Sequence, residues 1–391
     1  MTIEGRDETA AGSPIRLGMV GGGQGAFIGG VHRIAARMDG HFTLVAGALS
    51  SDAARNRASG RELGLSDDRV YDDFAAMAEA EAARPDGIEA VAIVTPNHLH
   101  FGPAKAFLEA GIHVICDKPL TTTLAEAREL AGIVARSGKL FVLTHNYTAY
   151  PMIRQARAMV AEGVLGDIRV VQVEYAQDWL TEPLERTGNK QAEWRADPKR
   201  SGAGGCIGDI GTHAYNLAGF VSGLMPESLL AELSTFVEGR LLDDNIEVLL
   251  RYSTGARGML WASQVAPGNE NGLRLRVYGS RGGLEWAQEE PNRLWFTPFG
   301  EQKRLITRAG AGAGAEAARM SRVPAGHPEG YLEGFANIYA EAASAMRAAR
   351  DGTPPDPAVT YPTVGDGVAG LAFIEACIES SGKGGIWVSL E

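Results

Sequence analysis

The stretch VGGGQGAFIGGVH (20–32) decides the fold, because it joins an apolar strand, IRLGMV (15–20), to the start of a helix. At such a turn, glycines permit a close approach of backbone to ligand, and the helix N-terminus favours an anion. A flexible turn is the plain alternative, but the position at the first strand-to-helix crossing favours a dinucleotide site. We therefore predict that Gly21, Gly23 and Gln24 contact the pyrophosphate.

Two further details of dinucleotide recognition stay open. For the third glycine position of the fingerprint, Ala26 satisfies the strict spacing, whereas Gly29 fits a loop that carries an insertion. The end of the second strand normally carries an acid that binds the adenosine ribose and selects NAD. Ser50 stands there instead, and Arg55 could meet a 2′-phosphate. We expect NAD as the cofactor, with NADP as the alternative.

Apolar strands and helical segments alternate up to about residue 145, a pattern typical of a parallel sheet covered on both faces. The loop IVTPNHLH (93–100) follows one such strand, at the edge where open α/β sheets bind ligands. His98 and His100 have a spacing that could bind a metal, but a third ligand is lacking nearby. A helix cap is the alternative role for Asn97. We predict that the nicotinamide side is lined by Thr95, Pro96, Asn97 and His100.

After Pro151 the apolar residues recur with a period near two, which indicates a mostly antiparallel sheet with one face packed and one free. The predicted fold class is therefore α/β, with an N-terminal parallel-sheet domain and a C-terminal α+β domain that has a large open, mostly antiparallel sheet. The Gly/Ala-rich segment 307–330 is predicted to be a mobile loop.

Composition excludes several classes of partner. A chain of 391 residues is too long for one ordinary core and indicates two domains. The formal net charge of −11, without a basic cluster, argues against nucleic acid and anionic membrane as partners. Cys116, Cys206 and Cys377 form neither a CxxC pair nor an even disulfide framework. Because the polar start has no export-signal pattern and no apolar run approaches a membrane span, we expect a cytoplasmic protein.

The segment GIHVICDKPLTTT (111–123) runs from a buried strand into two charged residues. Asp117 and Lys118 lie at the rim of the predicted core, and Pro119 restricts the backbone that carries them. Charges in such a position are costly unless they are paired or used. The segment therefore predicts either an ion pair or a functional lysine.

A second carboxylate stands close to a histidine in CIGDIGTHAYN (206–216). Asp209 and His213 are four residues apart, so on a helix they share one face. A carboxylate beside an imidazole can orient its tautomer for acid–base work, as the transfer of a proton requires. A helix cap and a satisfied histidine are the structural alternative.

In combination, these features resemble the Gfo/Idh/MocA family of NAD(P)-dependent oxidoreductases. The Glu-Lys-Pro tripeptide of the family appears here as Asp117-Lys118-Pro119, and its D-x-G-x-H segment begins at Asp209. The resemblance implies that His213 takes the proton of a secondary hydroxyl, Lys118 hydrogen-bonds the reacting oxygen, and Asp209 orients a substrate hydroxyl. It also puts Asp117 and Lys118 at the cofactor. Two residues depart from the pattern: the shorter Asp117 for glutamate and Ser50 for the ribose-binding acid.

The resemblance also implies a Rossmann domain over 14–148, after a flexible tail over 1–13, and a substrate-binding and oligomerisation domain over 149–391. No cluster of lysines and arginines suggests a phosphorylated substrate. We expect a neutral cyclic polyol or sugar, such as an inositol or a pyranose, oxidised to a ketone or lactone by a homodimer or homotetramer, with no metal. A regulator without turnover and a redox-assisted lyase or glycosidase are the alternatives. The substrate-binding candidates are Lys118, Tyr147, Trp179, Arg195, Asp209, His213 and His327.

Overall fold

The computed structural model describes residues 13–390. Apart from Ser13, the predicted flexible tail lies outside these residues. The described chain forms two compact units. The first unit comprises residues 13–121, Ala125–Asn146 and Tyr331–Val368, and the second comprises Thr122–Leu124, Tyr147–Gly330 and residues 369–390.

The strands are β1 (Ile15–Gly21), β2 (Phe42–Ala48), β3 (Ala90–Val94), β4 (His113–Cys116), β5 (Phe141–Leu143), β6 (Ile168–Ala176), β7 (Pro226–Ser234), β8 (Asn245–Tyr252), β9 (Arg257–Ser263), β10 (Gly272–Gly279), β11 (Gly282–Ala287), β12 (Arg293–Pro298), β13 (Arg304–Thr307) and β14 (Val388–Ser389). The α-helices are α1 (Phe27–Met38), α2 (Ala53–Glu62), α3 (Phe74–Ala83), α4 (Phe101–Glu109), α5 (Leu124–Ser137), α6 (Pro151–Ala161), α7 (Lys190–Arg195), α8 (Pro198–Ser201), α9 (Thr212–Ser222), α10 (Ala315–Arg319), α11 (Tyr331–Asp351) and α12 (Val364–Gly382).

The first unit is built on a parallel sheet of five strands in the order β2-β1-β3-β4-β5. Every residue of β3 is buried, because a strand in the middle of a covered parallel sheet meets apolar neighbours on both faces. Asp52 caps α2, and Asp73 caps α3 by accepting the amides of Ala75 and Ala76. The strand order reverses at β1, so the loops after β1 and β3 lie side by side at the switch point where such sheets bind ligands.

Helix α11 belongs to the first unit, although the sequence placed residues 149–391 together. It packs against α1, where Tyr339 Oη lies 2.9 Å from His32 Nδ1. The rings of His32 and Phe335 are 5.1 Å apart. The reason is long-range packing: the buried side of α1 needs an apolar cover, and a segment some 300 residues later in the chain provides it.

The second unit contains a nine-stranded sheet in the order β13-β12-β11-β10-β6-β9-β8-β7-β14. Among the described strands of this second sheet, only the β6–β9 pair is parallel, which confirms the predicted fold class. Burial alternates along β8, as expected for a sheet with one packed face. Helices α6 and α9 pack on the sheet, with α9 against β6 and β10.

The segment 307–330, predicted to be a mobile loop, is instead held by a buried ion pair. Arg308 and Glu329 approach to 3.0 Å, with both side chains 2% exposed. Arg308 also donates to the carbonyls of Val323, Pro324 and His327. The guanidinium thus satisfies backbone groups that a glycine-rich segment cannot satisfy through regular structure. Local sequence patterns do not reveal this ion pair, because the two charged residues are separated by 21 positions.

Candidate active site

The glycine loop after β1 has the geometry of a dinucleotide turn. Gly21 and Gly22 adopt φ values of +80° and +73°, which L side chains rarely tolerate. A Cβ on Gly23 would lie 2.7 Å from the carbonyl oxygen of Leu49. A Cβ on Gly29 would lie 2.8 Å from Gly22 O and closer still to Gly22 Cα. Gly29 therefore supplies the close helix-to-strand packing that the third glycine of the fingerprint provides, and the loop carries an insertion.

Ala26, the other candidate for that position, is the N-cap of α1 and donates its amide to Gly23 O at 3.0 Å. No side chain caps this helix, and its first turn contains no acidic residue. The amide donors and the positive end of the helix dipole are thus directed to the loop without an internal carboxylate to neutralise them. These features fit a nicotinamide adenine dinucleotide, whose pyrophosphate takes this position in Rossmann folds.

A pocket of about 320 Å³ adjoins the glycine loop, and its lining includes two residues that the sequence prediction did not name, Arg33 and Glu62. Arg33 donates to Gly22 O at 2.6 Å, and Gln24 Nε2 donates to Glu62 Oε2 at 2.8 Å. Burial lowers the pKa of the Arg33 guanidinium, and the charge of Glu62 opposes that shift. Arg33 lies one helical turn after Gly29, a spacing that could have identified it. The lining residues are Gly22, Gly23, Gln24, Gly25, Ala26, Phe27, Arg33, Ser59, Glu62 and Leu63.

The segment after β2 contains the residues considered for the adenosine end. Ser50 is half-buried, and its hydroxyl accepts the amide of Asp52 at 3.2 Å. The Asp52 carboxylate accepts the amide of Arg55 at 2.7 Å and so caps α2. Arg55 is exposed. The carboxylate nearest in sequence to the missing ribose acid is therefore engaged in a local helix cap.

His100 holds the loop after β3 in place, whereas the sequence predicted that it lines the nicotinamide side. His100 is fully buried, with Nδ1 2.7 Å from Pro119 O and Nε2 2.8 Å from Thr95 O. Burial lowers the pKa of this imidazole, while Asp117 and the carbonyl acceptors raise it. The side chain assigned to the nicotinamide by sequence thus joins the loop after β3 to the loop after β4. Its occupied nitrogens leave it no donor for the cofactor.

The neighbours of His100 differ in exposure. Thr95 and Pro96 are half-buried, and Thr95 donates its hydroxyl to Leu99 O at 3.0 Å. Asn97 is buried, and the cap of the short 3₁₀ turn that it begins is Pro96, not the asparagine. Among residues 13–390, no group of three histidine, cysteine or acidic side chains could hold a metal ion.

The Asp117–Pro119 segment follows β4. The Asp117 carboxylate accepts the amide of Lys118 at 2.9 Å and the hydroxyl of Thr144 at 3.0 Å, and the Lys118–Pro119 peptide is cis. Asp117 therefore holds the lysine backbone against the end of β5. Burial lowers the pKa of His145 to about 4; Asp366 opposes this shift and Lys118 adds to it. The lysine charge thus acts on a buried histidine of the same unit.

In the second unit, Asp209 lies on a π-helical turn, Ile207–Gly211, and His213 lies in the first turn of α9. Asp209 Oδ2 accepts Arg195 Nε at 3.1 Å and Gln264 Nε2 at 2.8 Å. The sequence predicted an ordinary α-helical spacing of the pair; the wider turn is of a kind that occurs often at functional sites. Two donors fix one oxygen of the carboxylate in place.

His213 packs against two tyrosines and is 7% exposed. The ring of Tyr147 meets the imidazole edge-on at 4.9 Å, and the ring of Tyr175 lies 6.2 Å away. The two tyrosine hydroxyls are 2.7 Å apart, and Tyr175 donates to Asn271 Oδ1 at 2.8 Å. Burial raises the pKa of Tyr147. Tyr147, a substrate candidate by sequence, thus has a buried hydroxyl engaged with protein, and its ring orients His213.

Aromatic and amide groups surround the Asp209 partner Arg195. Its guanidinium lies 4.2 Å from the ring centre of Trp194 and 5.8 Å from that of Trp179. Trp179 Nε1 donates to Gln177 Oε1 at 3.0 Å, and Gln177 Nε2 donates to Asn271 Oδ1 at 2.8 Å. Indole faces with nearby hydrogen-bonding groups are suited to polyhydroxylated ligands. Local sequence patterns do not reveal Gln177, Gln264 or Asn271, because isolated amides beside the ends of strands carry no motif.

His327, the last substrate candidate, is exposed, and its carbonyl accepts a hydrogen bond from Arg308. The contacts among the described residues do not join it to the Asp209 group. Its backbone is nevertheless fixed, since Arg308 is anchored by Glu329 and Asn292.

The glycine loop and the uncapped helix are typical of a dinucleotide-binding class of protein, and the second unit places a carboxylate and an imidazole on one helical segment. Residues 15–145 match the oxidoreductase family with an NAD-binding Rossmann fold, and residues 153–285 match the GFO/IDH/MocA C-terminal domain. The chain belongs to this oxidoreductase family, which confirms the resemblance and the expected NAD-type cofactor.

Several relatives cover most or all of the chain. The crystal structure of an oxidoreductase from Sinorhizobium meliloti is 59% identical, with a TM-score of 0.88 over 97% of this chain and 100% of that one. An inositol dehydrogenase homologue from Azotobacter vinelandii, complexed with NADH and myo-inositol, is 39% identical, with a TM-score of 0.90 over 97% and 98% of the two chains. Levoglucosan dehydrogenase of Pseudarthrobacter phenanthrenivorans is 30% identical over 72% of this chain and 75% of that protein. No helix among the described residues is long and apolar enough to cross a membrane.

Proposed function

We propose that the protein is an NAD-dependent dehydrogenase that oxidises a secondary hydroxyl of a cyclic polyol or sugar to a ketone or lactone. The observation that carries the proposal is the arrangement around Asp209, whose carboxylate is fixed by Arg195 and Gln264 on the helical segment that bears His213. The myo-inositol bound by the Azotobacter vinelandii relative supports a polyol substrate.

The catalytic roles follow the chemistry that alcohol oxidation requires. The C–H bond of the carbinol carbon breaks as a hydride leaves, the O–H bond loses its proton, and a C=O bond forms. Bound NAD supplies the hydride acceptor. His213 takes the hydroxyl proton, Lys118 hydrogen-bonds the reacting oxygen, and Asp209 orients a substrate hydroxyl. Asp117 acts on the backbone of Lys118.

The substrate-binding surface of the second unit is proposed to recognise a neutral ligand. Trp179 and Trp194 offer apolar faces to the C–H groups of a ring, while Arg195 and Gln177 offer donors and acceptors to its hydroxyls. Tyr147 contributes through His213, and His327 stays a candidate for the rim of the site. A cyclic polyol suits this mixture of groups better than a phosphorylated sugar.

In the first unit, the proposed cofactor-binding residues act mainly through their backbone. Gly21, Gly23 and Gln24 hold the pyrophosphate, Ser50 lies at the ribose, and Thr95 and Pro96 lie towards the nicotinamide. We place Arg33 beside them, since it already contacts the glycine loop. NAD is the proposed physiological cofactor; exposed Arg55 keeps NADP as the alternative.

A homo-oligomer built on the open face of the nine-stranded sheet is part of the same proposal. Leu249, Met259 and Tyr278 are exposed on strands β8, β9 and β10. Apolar side chains on an uncovered sheet face are the kind of surface that an identical subunit covers. Sedimentation of the purified protein distinguishes a monomer from a dimer or tetramer.

The function is tested by incubating the protein with inositol isomers and aldopyranoses, with NAD or NADP, and recording absorbance of the reduced cofactor. Lys118→Ala and His213→Ala should each lower kcat by roughly 10²- to 10⁴-fold while leaving the Kd for NAD within a few-fold. Lys105→Ala, which removes a surface lysine paired with Glu129, is the matched control and should retain full activity. Near wild-type turnover by both site variants would refute the assignment. Cleavage products without accumulation of reduced cofactor would instead indicate a redox-assisted lyase.

A further inference from the structure

The π-helical turn that carries Asp209 begins without a side-chain cap of its own. Three successive amides at its start are satisfied by one residue from another part of the chain. Asp243 Oδ1 accepts the amide of Gly205 at 2.6 Å, and Oδ2 accepts that of Ile207 at 2.8 Å. The backbone oxygen of Asp243 accepts the amide of Cys206 at 2.9 Å. Because Asp243 lies just before β8, it links this turn to the sheet.

We infer that Asp243 is a positioning residue for the reaction, because its buried carboxylate fixes the backbone from which Asp209 and His213 project. The inference rests on the proposed function, which assigns those two residues to catalysis. The approach of the two segments is close: a Cβ on Gly205 would lie 2.8 Å from Leu242 Cβ and would also strike Asp243 O. Glycine is therefore required where the turn meets the aspartate.

The same segment also supports Asp209 from its other side. The carbonyl of Asp244 accepts the amide of Gln264 at 2.9 Å, and Gln264 Nε2 donates to Asp209 Oδ2 at 2.8 Å. The backbone that follows Asp243, but not the Asp244 side chain, thus also holds one donor of the catalytic carboxylate. A displacement of about 1 Å at such a point can lower turnover by roughly 10²-fold without any change in the reacting groups.

Asp243 is 8% exposed, and burial raises its pKa to about 6, while the amides of Ile207 and Gly205 lower it and the charge of Asp244 raises it. Asp244 itself is paired with Arg240 at 3.1 Å. Burial raises the pKa of the Cys206 and Cys377 thiols, and the Asp243 charge adds to both shifts. Protonation of Asp243 removes one of its two good acceptor oxygens, so the turn is held less tightly at acid pH.

The adjacent Asp244 offers a matched control. Its carboxylate is also buried and also accepts two amides, those of Phe236 and Val237, but these lie in a turn remote in sequence from Asp209. Asp243→Asn and Asp244→Asn each remove one buried carboxylate charge that accepts two amides, and Asp244→Asn also breaks the pair with Arg240 while its backbone carbonyl stays in place. Only the first disturbs the turn that bears the catalytic residues.

The variants are compared with myo-inositol and NAD, by steady-state kinetics from pH 5 to 8. Asp243→Asn should lower kcat by about 10- to 100-fold at pH 8 with the Kd for NAD unchanged, and the ratio of wild-type to variant kcat should shrink towards pH 5. Asp244→Asn should keep kcat within a few-fold. Equal losses in the two variants, or a ratio independent of pH, would overturn the inference.

Hydrogen exchange provides a readout that does not depend on turnover. In Asp243→Asn, amides of residues 204–214 should exchange faster than in the wild-type protein. In Asp244→Asn, the amides that exchange faster should be those of residues 234–242. Gly205→Ala, which separates the turn from an intact carboxylate, should reproduce the first pattern. If 204–214 stays fully protected in Asp243→Asn, the inference fails whatever the substrate. If His213→Ala retains turnover, the proposed function fails, but the exchange result still decides whether Asp243 holds the turn.

Discussion

The substitution Gly29→Ala tests the packing of α1 against the glycine loop. The added Cβ would lie 2.8 Å from Gly22 O and closer still to Gly22 Cα, whereas real Cβ contacts are essentially never shorter than 3.0 Å. The neighbouring atoms are backbone, so no flexible side chain can move aside. The turn must shift by roughly half an ångström, at a cost of about 1–3 kcal/mol for overpacking.

Gly30→Ala, one residue along the same helix, is the control. The atom nearest to its Cβ would be Arg33 Nη2 at 4.0 Å, which is ordinary van der Waals contact. Both substitutions gain about 0.5–1 kcal/mol from the helix preference of alanine, so the difference between the two variants isolates the packing cost at Gly29.

The assay is chemical denaturation followed by circular dichroism, with calorimetric titration of NAD. Gly29→Ala should be less stable than Gly30→Ala by about 1–3 kcal/mol and should bind NAD roughly tenfold more weakly, because the displaced loop no longer fits the pyrophosphate. Equal stability and equal NAD affinity of the two variants would refute the close packing of Gly29 on Gly22.

Three other predictions concern single side chains. Arg308→Met should destabilise the protein by about 3–5 kcal/mol, since it leaves the buried Glu329 charge unpaired, whereas an unchanged unfolding midpoint in urea would contradict a buried pair. Burial lowers the pKa of His113 from its ordinary 6.5 to about 4, so the unfolded chain takes up a proton within this window that the folded chain does not. His113 should therefore contribute roughly 3 kcal/mol to the fall in the free energy of unfolding as pH drops from 6.5 to 4, and His113→Gln should remove this contribution while other buried histidines such as His145 keep theirs; a parallel pH profile in the variant would argue against it. Ser50→Asp should reduce kcat/KM with NADP by at least about tenfold while preserving NAD use, because a like-charge contact near the surface costs on the order of 1–4 kcal/mol; unchanged NADP use would place the 2′-phosphate elsewhere.

Much of the site could be anticipated from local sequence, because its key residues occur in short segments. The glycine loop, the Asp-Lys-Pro segment and the Asp209–His213 spacing each identify reactive or ligand-binding groups next to a recognisable strand or helix. Periodicity also separated a parallel sheet from an antiparallel one, since the two patterns reflect burial on two faces or on one.

Side-chain partners were beyond the reach of local patterns. His100 belongs to a motif beside the predicted nicotinamide site, yet its ring nitrogens meet the carbonyls of Thr95 and Pro119. The hydroxyl of Tyr147 is likewise directed to Tyr175, 28 residues further along the chain. A residue type indicates which hydrogen bonds a side chain can make, whereas the choice among partners depends on which elements the folded chain brings together.

The sequence by itself determined the order of strands and helices and the turn conformations that only glycine tolerates, and it predicts the residues for a hydride-and-proton reaction. Tertiary structure alone decided that Gly29 rather than Ala26 packs on the loop, that α11 covers α1, and that Asp243 holds the turn of Asp209. The physical reason is the range of the interactions. Backbone preference and hydrophobic period act between neighbours in sequence, but close packing and buried hydrogen bonds join residues that are tens to hundreds of positions apart.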